Sequence, residues 1–278
     1  MEIQLIQSRQ NPRVQRLANL RERKARENEG VFAIEGMREI ERALASGIEV
    51  GEIYFCREKM RSAAAEKILA ATQKNPAIAH FELSVGAMEK ASYRDNPEGL
   101  IAVAKMRAHT LADLPATRAE TAPLYLVAEA IEKPGNLGAL LRTADSAGCT
   151  ALLCCGLVSD AYNPNAVRAS QGTLFSMPFA SAPAEEIAAW LDARGVKIFA
   201  TTPAAEKLYW ECDFRVPSAI LLGAEATGLS DFWLGNDSAR AEQIAIPQRG
   251  LADSLNVSTA GAICLFEAVR QRFRVPGK

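Results

Sequence analysis

The stretch LYLVAEAIEKPGNLGALLRTADSAGCTALLCC, residues 124–155, decides the fold class. It begins with the apolar run LYLVAEAI and ends with a second apolar run, ALLCC. Between the two runs, Pro134 and Gly135 turn the chain, and the spacing of apolar residues then predicts a helix from about Asn136 to Ala147. Strands that are apolar on both faces and are joined through a helix are typical of a parallel sheet covered by helices.

The alternation of apolar strands and helices continues over the rest of the C-terminal part. A helix is predicted near residues 164–171, and AEEIAAWLDARG predicts another that ends at Gly195. Three apolar strands and a long closing helix follow, namely VKIFATT, SAILLG, EQIAIP and SLNVSTAGAICLFEAVRQRF. We therefore predict an α/β domain with a mostly parallel sheet over residues 123–278.

The N-terminal part predicts a second, smaller α/β domain over residues 1–107. After a basic opening helix, its elements are VFAIEG as a strand, MREIERALASG as an amphipathic helix, VGEIYFC as a strand, a helix around residues 60–74, and strands near 78–83 and 100–105. The next stretch, residues 108–122, is rich in small, polar and Pro residues, which predicts a linker between the two domains.

Charge is distributed unevenly around a formal net value of −1. Residues 1–107 contain 18 Lys and Arg against 15 Asp and Glu, whereas residues 108–278 contain 14 against 18. A basic strip in the first 30 residues suits contact with nucleic-acid phosphates, and it equally suits a solvated amphipathic helix with Leu17 and Leu20 on its apolar edge. The basic residues of this strip are Arg9, Arg13, Arg16, Arg21, Arg23, Lys24 and Arg26.

Composition disfavours several classes of protein. No apolar run approaches the ~18 residues of a membrane span, and the first residues lack the basic-then-apolar order of a secretion signal, so we expect a cytoplasmic location. The six Cys residues form no C-x-x-C pair and the chain has only two His residues. We therefore expect buried thiols, no metal site and no histidine-based acid–base chemistry.

Three segments with unusual polar and glycine content each follow a predicted strand, where ligands bind in open parallel sheets. The first, EAIEKPGNLGALLRTADSAG (129–148), contains Asn136 and Arg142. Asn136 is either a helix cap or a site residue. Because the two residues are less than two helical turns apart, we expect Arg142 to lie on the helix flank nearest its start and to point toward the strand ends. The alternative is that Arg142 is a surface charge.

The second segment, AILLGAEATGLS (219–230), holds Gly223, Glu225 and Gly228 in the loop after a strand. Glycines let the backbone approach a ligand closely, although Gly228 also suits an ordinary turn. The spacing fits neither G-x-G-x-x-G nor G-x-x-x-x-G-K-[ST]. A P-loop and the dinucleotide site of a nicotinamide-dependent dehydrogenase are therefore both disfavoured.

The third segment, QIAIPQRGLADSLNVSTAGAICLFEAVRQR (243–272), combines a strand, a polar loop and a long helix. Ser254 and Asn256 stand at the head of that helix. Free backbone N–H groups and small polar side chains at a helix start can hold a ribose, a carboxylate or a phosphate. Ordinary helix capping by Ser254 is the alternative.

In this order, the three segments resemble the motifs of the SpoU (TrmH-type) RNA 2′-O-ribose methyltransferases of the SPOUT superfamily. The resemblance covers residues 123–278, and the N-terminal FAIEGMREIERAL resembles, less specifically, the small substrate-binding domain of the rRNA-modifying members, whose fold is related to RNA-binding ribosomal proteins. The matching residues are Asn136 to Ala144, Gly223 to Ser230, Ile246–Pro247 and Ser254 to Ser258.

The resemblance implies a C-terminal domain that forms a deep trefoil knot, a topology that is rare in proteins. It also implies a homodimer whose active sites are built from both subunits. The implied cofactor is S-adenosylmethionine, held largely by backbone groups. The cofactor-binding residues implied by the motif positions are Thr201, Gly223, Ile246 and Leu255.

The implied reaction is methyl transfer to a ribose 2′-hydroxyl of RNA, with rRNA favoured over tRNA because of the N-terminal domain. The family assigns the activating role to the arginine that matches Arg142. Because a guanidinium titrates above ~12, two roles stay open: a base after assisted deprotonation, or a fixed cation that stabilises the alkoxide or orients a phosphate. The implied supporting residues are Asn136, Glu225, Ser254 and Asn256. The alternatives are a tRNA methyltransferase and a non-catalytic RNA-binding protein with the same fold.

Overall fold

The structure is a computed structural model that describes residues 3–116, 122–156, 159–235, 240–251 and 254–273. These residues form two compact units, each with its own sheet. The first unit comprises the described parts of Met1–Ala108 and Asp160–Ser176, and the second comprises the described parts of His109–Ser159 and Met177–Lys278. Residues 117–121 of the predicted linker lie outside the described residues.

The first unit has a five-stranded mixed sheet. Its strands are β1 (Gln4–Ile6), β2 (Val31–Glu35), β3 (Val50–Phe55), β4 (Ala79–Leu83) and β5 (Leu100–Lys105). The strand order is β1-β4-β3-β5-β2, with β1, β4 and β3 parallel and β5 antiparallel to both of its neighbours. The helices between these strands are α1 (Pro12–Asn19), α2 (Arg23–Glu29), α3 (Met37–Ala45), α4 (Ala63–Thr72) and α5 (Val85–Ala91).

The second part of the chain forms a six-stranded sheet in which every described pair of neighbouring strands is parallel. Its strands are β6 (Leu124–Glu129), β7 (Ala151–Cys155), β8 (Phe179–Ala182), β9 (Lys197–Thr201), β10 (Ser218–Leu222) and β11 (Ala241–Ile244), in the order β11-β9-β10-β6-β7-β8. The helices in this stretch of the chain are α6 (Pro134–Ser146), α7 (Pro164–Ser170), α8 (Ala184–Asp192), α9 (Asp231–Leu234) and α10 (Val257–Arg272), of which α7 belongs to the first unit. The predicted parallel α/β fold is confirmed.

The central strands of this sheet explain its apolar sequence runs. All residues of β6, β7 and β10 are buried, as expected for parallel strands covered on both faces. The helix α10 packs on α6 and on β10. Gly261 allows the approach, because a Cβ atom at that position would lie 2.9 Å from Leu222 Cδ1. The head of α10 is thereby held beside the end of the central strand β10.

The segment Asp160–Ser176, which includes α7, belongs to the first unit although it falls within the predicted domain 123–278. Aromatic packing accounts for this placement. The Phe32 ring lies 4.4 Å from the Tyr162 ring and 6.0 Å from the Phe175 ring, measured between centroids. Periodicity predicts that residues 164–171 form a helix, but it contains no information about which sheet the helix covers.

The basic strip at the N-terminus is largely engaged inside the first unit. It forms two helices, α1 and α2, and the predicted single opening helix is wrong. Arg26 is only 1% exposed and pairs with Asp160, so it is unavailable to a nucleic-acid phosphate. Arg16 pairs with Glu29 and Glu52 at 2.5 and 2.9 Å. The side chains of two exposed members of the strip, Arg9 and Lys24, have no hydrogen bond or ion pair within the described ranges.

Two features are absent from the described residues, a helix that could span a membrane and a metal-binding cluster. None of the described helices combines the length and the hydrophobicity that a membrane crossing requires. Over the same residues, no group of three or more His, Cys, Asp or Glu side chains is placed to hold a metal ion.

Candidate active site

A cleft with a volume of about 590 Å³ lies at the carboxyl ends of β9 and β10. This volume falls within the range of roughly 300–1,000 Å³ that is usual for small-molecule sites. Its walls come from the segments after β9, β10 and β11, from the first turn of α10, and from Lys133 just before α6. The position agrees with the rule that ligands of parallel sheets bind beyond the carboxyl ends of the strands.

Seven of the nine site residues predicted from the sequence line this cleft. Asn136 and Arg142 are absent from the described lining. The residues that line it are Thr201, Gly223, Glu225, Ile246, Ser254, Leu255 and Asn256. Segments far apart in the sequence therefore converge on one cavity.

Asn136 joins the three sequence segments through its side-chain amide. Its Nδ2 donates a short hydrogen bond to Glu225 Oε1. Its Oδ1 accepts a hydrogen bond from Asn256 Nδ2 at 3.1 Å. Because a carboxylate only accepts hydrogen bonds, the Glu225 contact fixes which end of the amide faces which partner. Asn136 is thus hydrogen-bonded to two residues of the cleft wall, although it is not part of the described lining itself.

Neither Asn136 nor Ser254 is a helix cap. The N-cap of α6 is Lys133, followed by Pro134 as the first helical residue, so Asn136 lies inside the first turn. The N-cap of α10 is Asn256, whose Oδ1 accepts from the Ser258 backbone N–H at 2.9 Å and from Ser258 Oγ at 2.6 Å. The capping alternative is therefore wrong for both residues.

The loop after β10 is a tight, closed turn. The backbone groups of Ala224 and Gly228 exchange two hydrogen bonds, each 3.0 Å long. A Cβ atom at Gly223 would lie 2.4 Å from the Gly228 carbonyl carbon, so only glycine fits there. Glu225, at the tip, keeps its Oε2 buried and without a hydrogen-bond partner in the described structure. Asn136 is therefore the hydrogen-bond partner of one Glu225 oxygen, and the other oxygen is buried without one among the described residues.

Arg142 lies outside the described lining of the cleft. At about 100° per residue, the six residues from Asn136 to Arg142 rotate the side-chain direction by roughly 240°. Asn136 faces Glu225 and Asn256, so Arg142 leaves the helix on another side. It is exposed, and its guanidinium has no hydrogen bond or ion pair among the described residues. The predicted role of Arg142 in the active site therefore stays a prediction.

Sequence reasoning missed Lys133, which is the one basic side chain in the described lining of the cleft. The sequence did contain an indication, because Lys is an unfavourable residue at the N-cap of a helix. It offers no acceptor to cap α6, and its positive charge opposes the positive end of the helix dipole. A residue that breaks a local rule of this kind often serves a function.

Two models of known protein families match the sequence. The model of the SpoU rRNA Methylase family matches residues 123–266, and that of the MRM3-like substrate binding domain matches residues 11–102. The chain belongs to the SpoU rRNA methylase family.

Individual relatives match the chain over nearly its whole length. A 23S rRNA (uridine(2479)-2′-O)-methyltransferase of Streptomyces viridochromogenes is 30% identical over 92% of this chain and 88% of its own. The crystal structure of an RNA 2′-O ribose methyltransferase is 43% identical, with a TM-score of 0.83 over 96% of this chain and 99% of its own. An AdoMet-bound rRNA methyltransferase from Sinorhizobium meliloti is 29% identical, with a TM-score of 0.85 over 98% and 99%.

Proposed function

We propose that this chain transfers a methyl group from S-adenosylmethionine to a ribose 2′-hydroxyl of rRNA. The observation that carries the proposal is the cleft at the ends of β9 and β10, where Asn136 links Glu225 to Asn256. The similar proteins of known activity methylate the same kind of group in 23S rRNA or RNA.

The residues of the cleft suit S-adenosylmethionine. Ile246 and Leu255 provide an apolar wall, while Thr201 and Gly223 bring backbone groups to the ends of β9 and β10. The carboxylate side chain of Glu225 in the cleft wall suits a positively charged ligand. Bound S-adenosylmethionine supplies an electrophilic methyl group on a sulfonium. The chain itself provides an enclosed position for the cofactor and a place for the ribose at the mouth of the cleft.

The polar side chains of the wall orient the RNA. Ser254 and Asn256 are exposed at the head of α10, where they can donate hydrogen bonds to ribose and phosphate oxygens. Lys133 places a positive charge at the same opening. Arg142 is the cation that stabilises the developing alkoxide or orients its phosphate, or the base that removes the hydroxyl proton.

We propose a homodimer, because the site of one chain lacks the arginine. Arg142 points away from its own Asn136 network, so Arg142 of the partner subunit would complete each site. An exposed apolar face supports a second copy as the occupant. Phe266 is 49% exposed and Phe273 is 69% exposed, and their spacing of seven residues puts them on one side of α10 and its end.

The proposed topology of the second unit is a trefoil knot. The helix α10 follows β11 at the edge of the sheet, yet it packs on α6 and β10 near the middle. Such a return path supports a threaded C-terminal segment.

The proposed domain roles are RNA binding for residues 1–107, a linker at 108–122 and methyl transfer for 123–278. The exposed side chains of Arg9 and Lys24 support phosphate contact by the first unit. A cytoplasmic location fits an rRNA substrate.

The test is methyl transfer with purified full-length chain, S-adenosylmethionine carrying a deuterated methyl group, and rRNA prepared from cells that lack the protein. Nucleosides from digested RNA are then analysed by mass spectrometry. We expect the label in one 2′-O-methylnucleoside. Label on a base, or no label with rRNA but label with tRNA, would overturn the proposed reaction or its substrate.

A further inference from the structure

Glu129 makes an unusual pair of contacts outside the cleft. It is the last residue of β6, is 9% exposed, and is absent from the described cleft lining. Both of its carboxylate oxygens accept hydrogen bonds from one residue, Ser230. The Ser230 backbone N–H donates to Oε2 at 2.8 Å, and Ser230 Oγ donates to Oε1 at 2.7 Å. Such charge-assisted, two-point contacts are stronger and geometrically more specific than single neutral ones.

The Ser230 side chain does not cap the helix that it precedes. It stands at the N-cap of α9, where a Ser hydroxyl usually accepts a hydrogen bond from the helix, but no such bond forms. The side chain contacts Glu129 instead. The short helix α9 therefore has no side-chain capping bond from Ser230. The Ser230 hydroxyl instead connects the loop before this helix to Glu129.

The contact between Glu129 and Ser230, called the Glu129 clamp below, holds the end of the loop that carries Glu225. At the start of this loop, Leu222 pairs with Ala128 in the sheet, so residue 223 leaves β10 beside Glu129. At its end, Ser230 is bound to the same Glu129. The two backbone bonds between Ala224 and Gly228 close the turn in the middle. The pairing of Leu222 with Ala128 and the contact between Glu129 and Ser230 thus hold the two ends of the loop beside the end of one central strand.

We propose that Glu129 is a positioning residue that holds the 223–230 loop, and with it Glu225, in the conformation that binds S-adenosylmethionine. This inference rests on the proposed function for its cofactor. The loop supplies residues 223–229 to the cleft wall, so a loop released at Ser230 spends less time in the binding conformation. The apparent affinity falls by the same fraction.

Calorimetric titration of S-adenosylmethionine into the full-length chain tests the inference. Glu129→Ala should raise the Kd about tenfold. Glu129→Gln should restore it to within about threefold of wild type, because its carbonyl accepts from the Ser230 N–H and its amide donates to Ser230 Oγ. Equal losses in Glu129→Ala and Glu129→Gln would overturn positioning, since the negative charge itself would then be required.

Ser230→Ala provides a second route, because Ser230 is exposed and its loss does not threaten the fold. It should raise the Kd about threefold alone and add little in the Glu129→Ala background, since both changes break one contact. Independent effects that multiply would overturn the inference. As a matched control, Glu242→Gln breaks ion pairs with Lys197 and Lys207 away from the cleft and should bind as wild type does.

Hydrogen exchange of the Ser230 amide separates this inference from the proposed function. In ligand-free chain, Glu129→Ala should speed exchange at Ser230 at least tenfold, because the amide loses its acceptor. Unchanged exchange would overturn the clamp itself. Absence of S-adenosylmethionine binding by the wild-type chain would instead overturn the proposed function.

Discussion

Asn136 and Glu225 are 89 positions apart in the sequence, and in the structure the Asn136 amide donates directly to the Glu225 carboxylate. The contact joins the start of α6 to the loop after β10. Asn256, at the head of α10, completes the set through the other end of the same amide. The three segments are therefore one hydrogen-bonded unit.

Replacing Asn136 by Ala should disable this unit. The change removes the donor to the half-buried Glu225 and the acceptor for the exposed Asn256, and loss of a hydrogen bond of this kind costs about 0.5–1.5 kcal/mol. We expect the free energy of unfolding to fall by that amount in urea titrations, and kcat for methyl transfer to fall at least tenfold. Asn165→Ala, on an exposed position of α7, is the control. Wild-type kcat in Asn136→Ala would contradict the role of the network.

Mixing two inactive variants tests the shared active site. Arg142→Ala and Asn136→Ala homodimers should each be inactive, because every site in them lacks one component. In a mixed dimer, one of the two sites receives Asn136 from one chain and Arg142 from its partner. Equimolar mixing should restore about a quarter of wild-type activity, as half of the dimers are mixed and each has one intact site. Activity that stays at the level of the separate variants would contradict a site built from two subunits.

The sequence predicts the second unit well because its central strands are wholly buried and read as apolar runs. It misses β8, since four residues between Pro178 and Pro183 are too few to show a pattern. Seven of the nine site residues predicted from the sequence line the cleft. They could be found because their motifs directly follow predicted strands, and the carboxyl ends of parallel strands lie at the same edge of a sheet. The direction of Arg142 and the Glu129 clamp depend on helix rotation and long-range pairing, which spacing along the chain does not reveal.

Ala130 offers a test of backbone strain beside the first segment. Its φ of 51° lies in the left-handed region, where a Cβ atom costs roughly 1 kcal/mol. Ala130→Gly removes that strain, so the free energy of unfolding should rise by about 0.5–1 kcal/mol in urea titrations. Ala139→Gly, inside α6, is the matched control and should lower it by about 1 kcal/mol. A loss of stability in Ala130→Gly would contradict this interpretation.

Buried thiols should make the fold sensitive to alkali. Burial raises the pKa of Cys149, Cys155 and Cys264 from the ordinary 9.0 to about 12. Between pH 9 and 12 the folded chain therefore binds more protons than the unfolded chain, so stability is full below pH 9 and is lost as the pH rises through this window. Each thiol should cost about 1 kcal/mol by pH 10 in urea titrations. Cys149→Ala should make the dependence shallower, and an unchanged slope would contradict burial of this thiol.

RNA binding by the first unit is best tested with point variants. Deleting residues 1–107 would strip Asp160–Ser176 of the ring of Phe32, on which Tyr162 and Phe175 pack. Arg9→Ala with Lys24→Ala should instead weaken rRNA binding and reduce the slope of log K against log salt by about two, because two phosphate contacts are lost. Arg23→Glu is a control for charge alone, since Arg23 already pairs with Glu27. An equal loss of rRNA affinity in the double variant and in Arg23→Glu would contradict a specific role of Arg9 and Lys24.

The central claim is that the cleft at the ends of β9 and β10 is the S-adenosylmethionine site, and one calorimetric comparison tests it most directly. Ala260 lines the cleft from the first turn of α10, whereas its neighbour Thr259 is exposed and absent from the described lining. S-adenosylmethionine should bind one site per chain in the wild type and in Thr259→Trp, and binding should disappear in Ala260→Trp, whose indole fills the cavity. Undiminished binding in Ala260→Trp, or none in the wild type, would contradict the account.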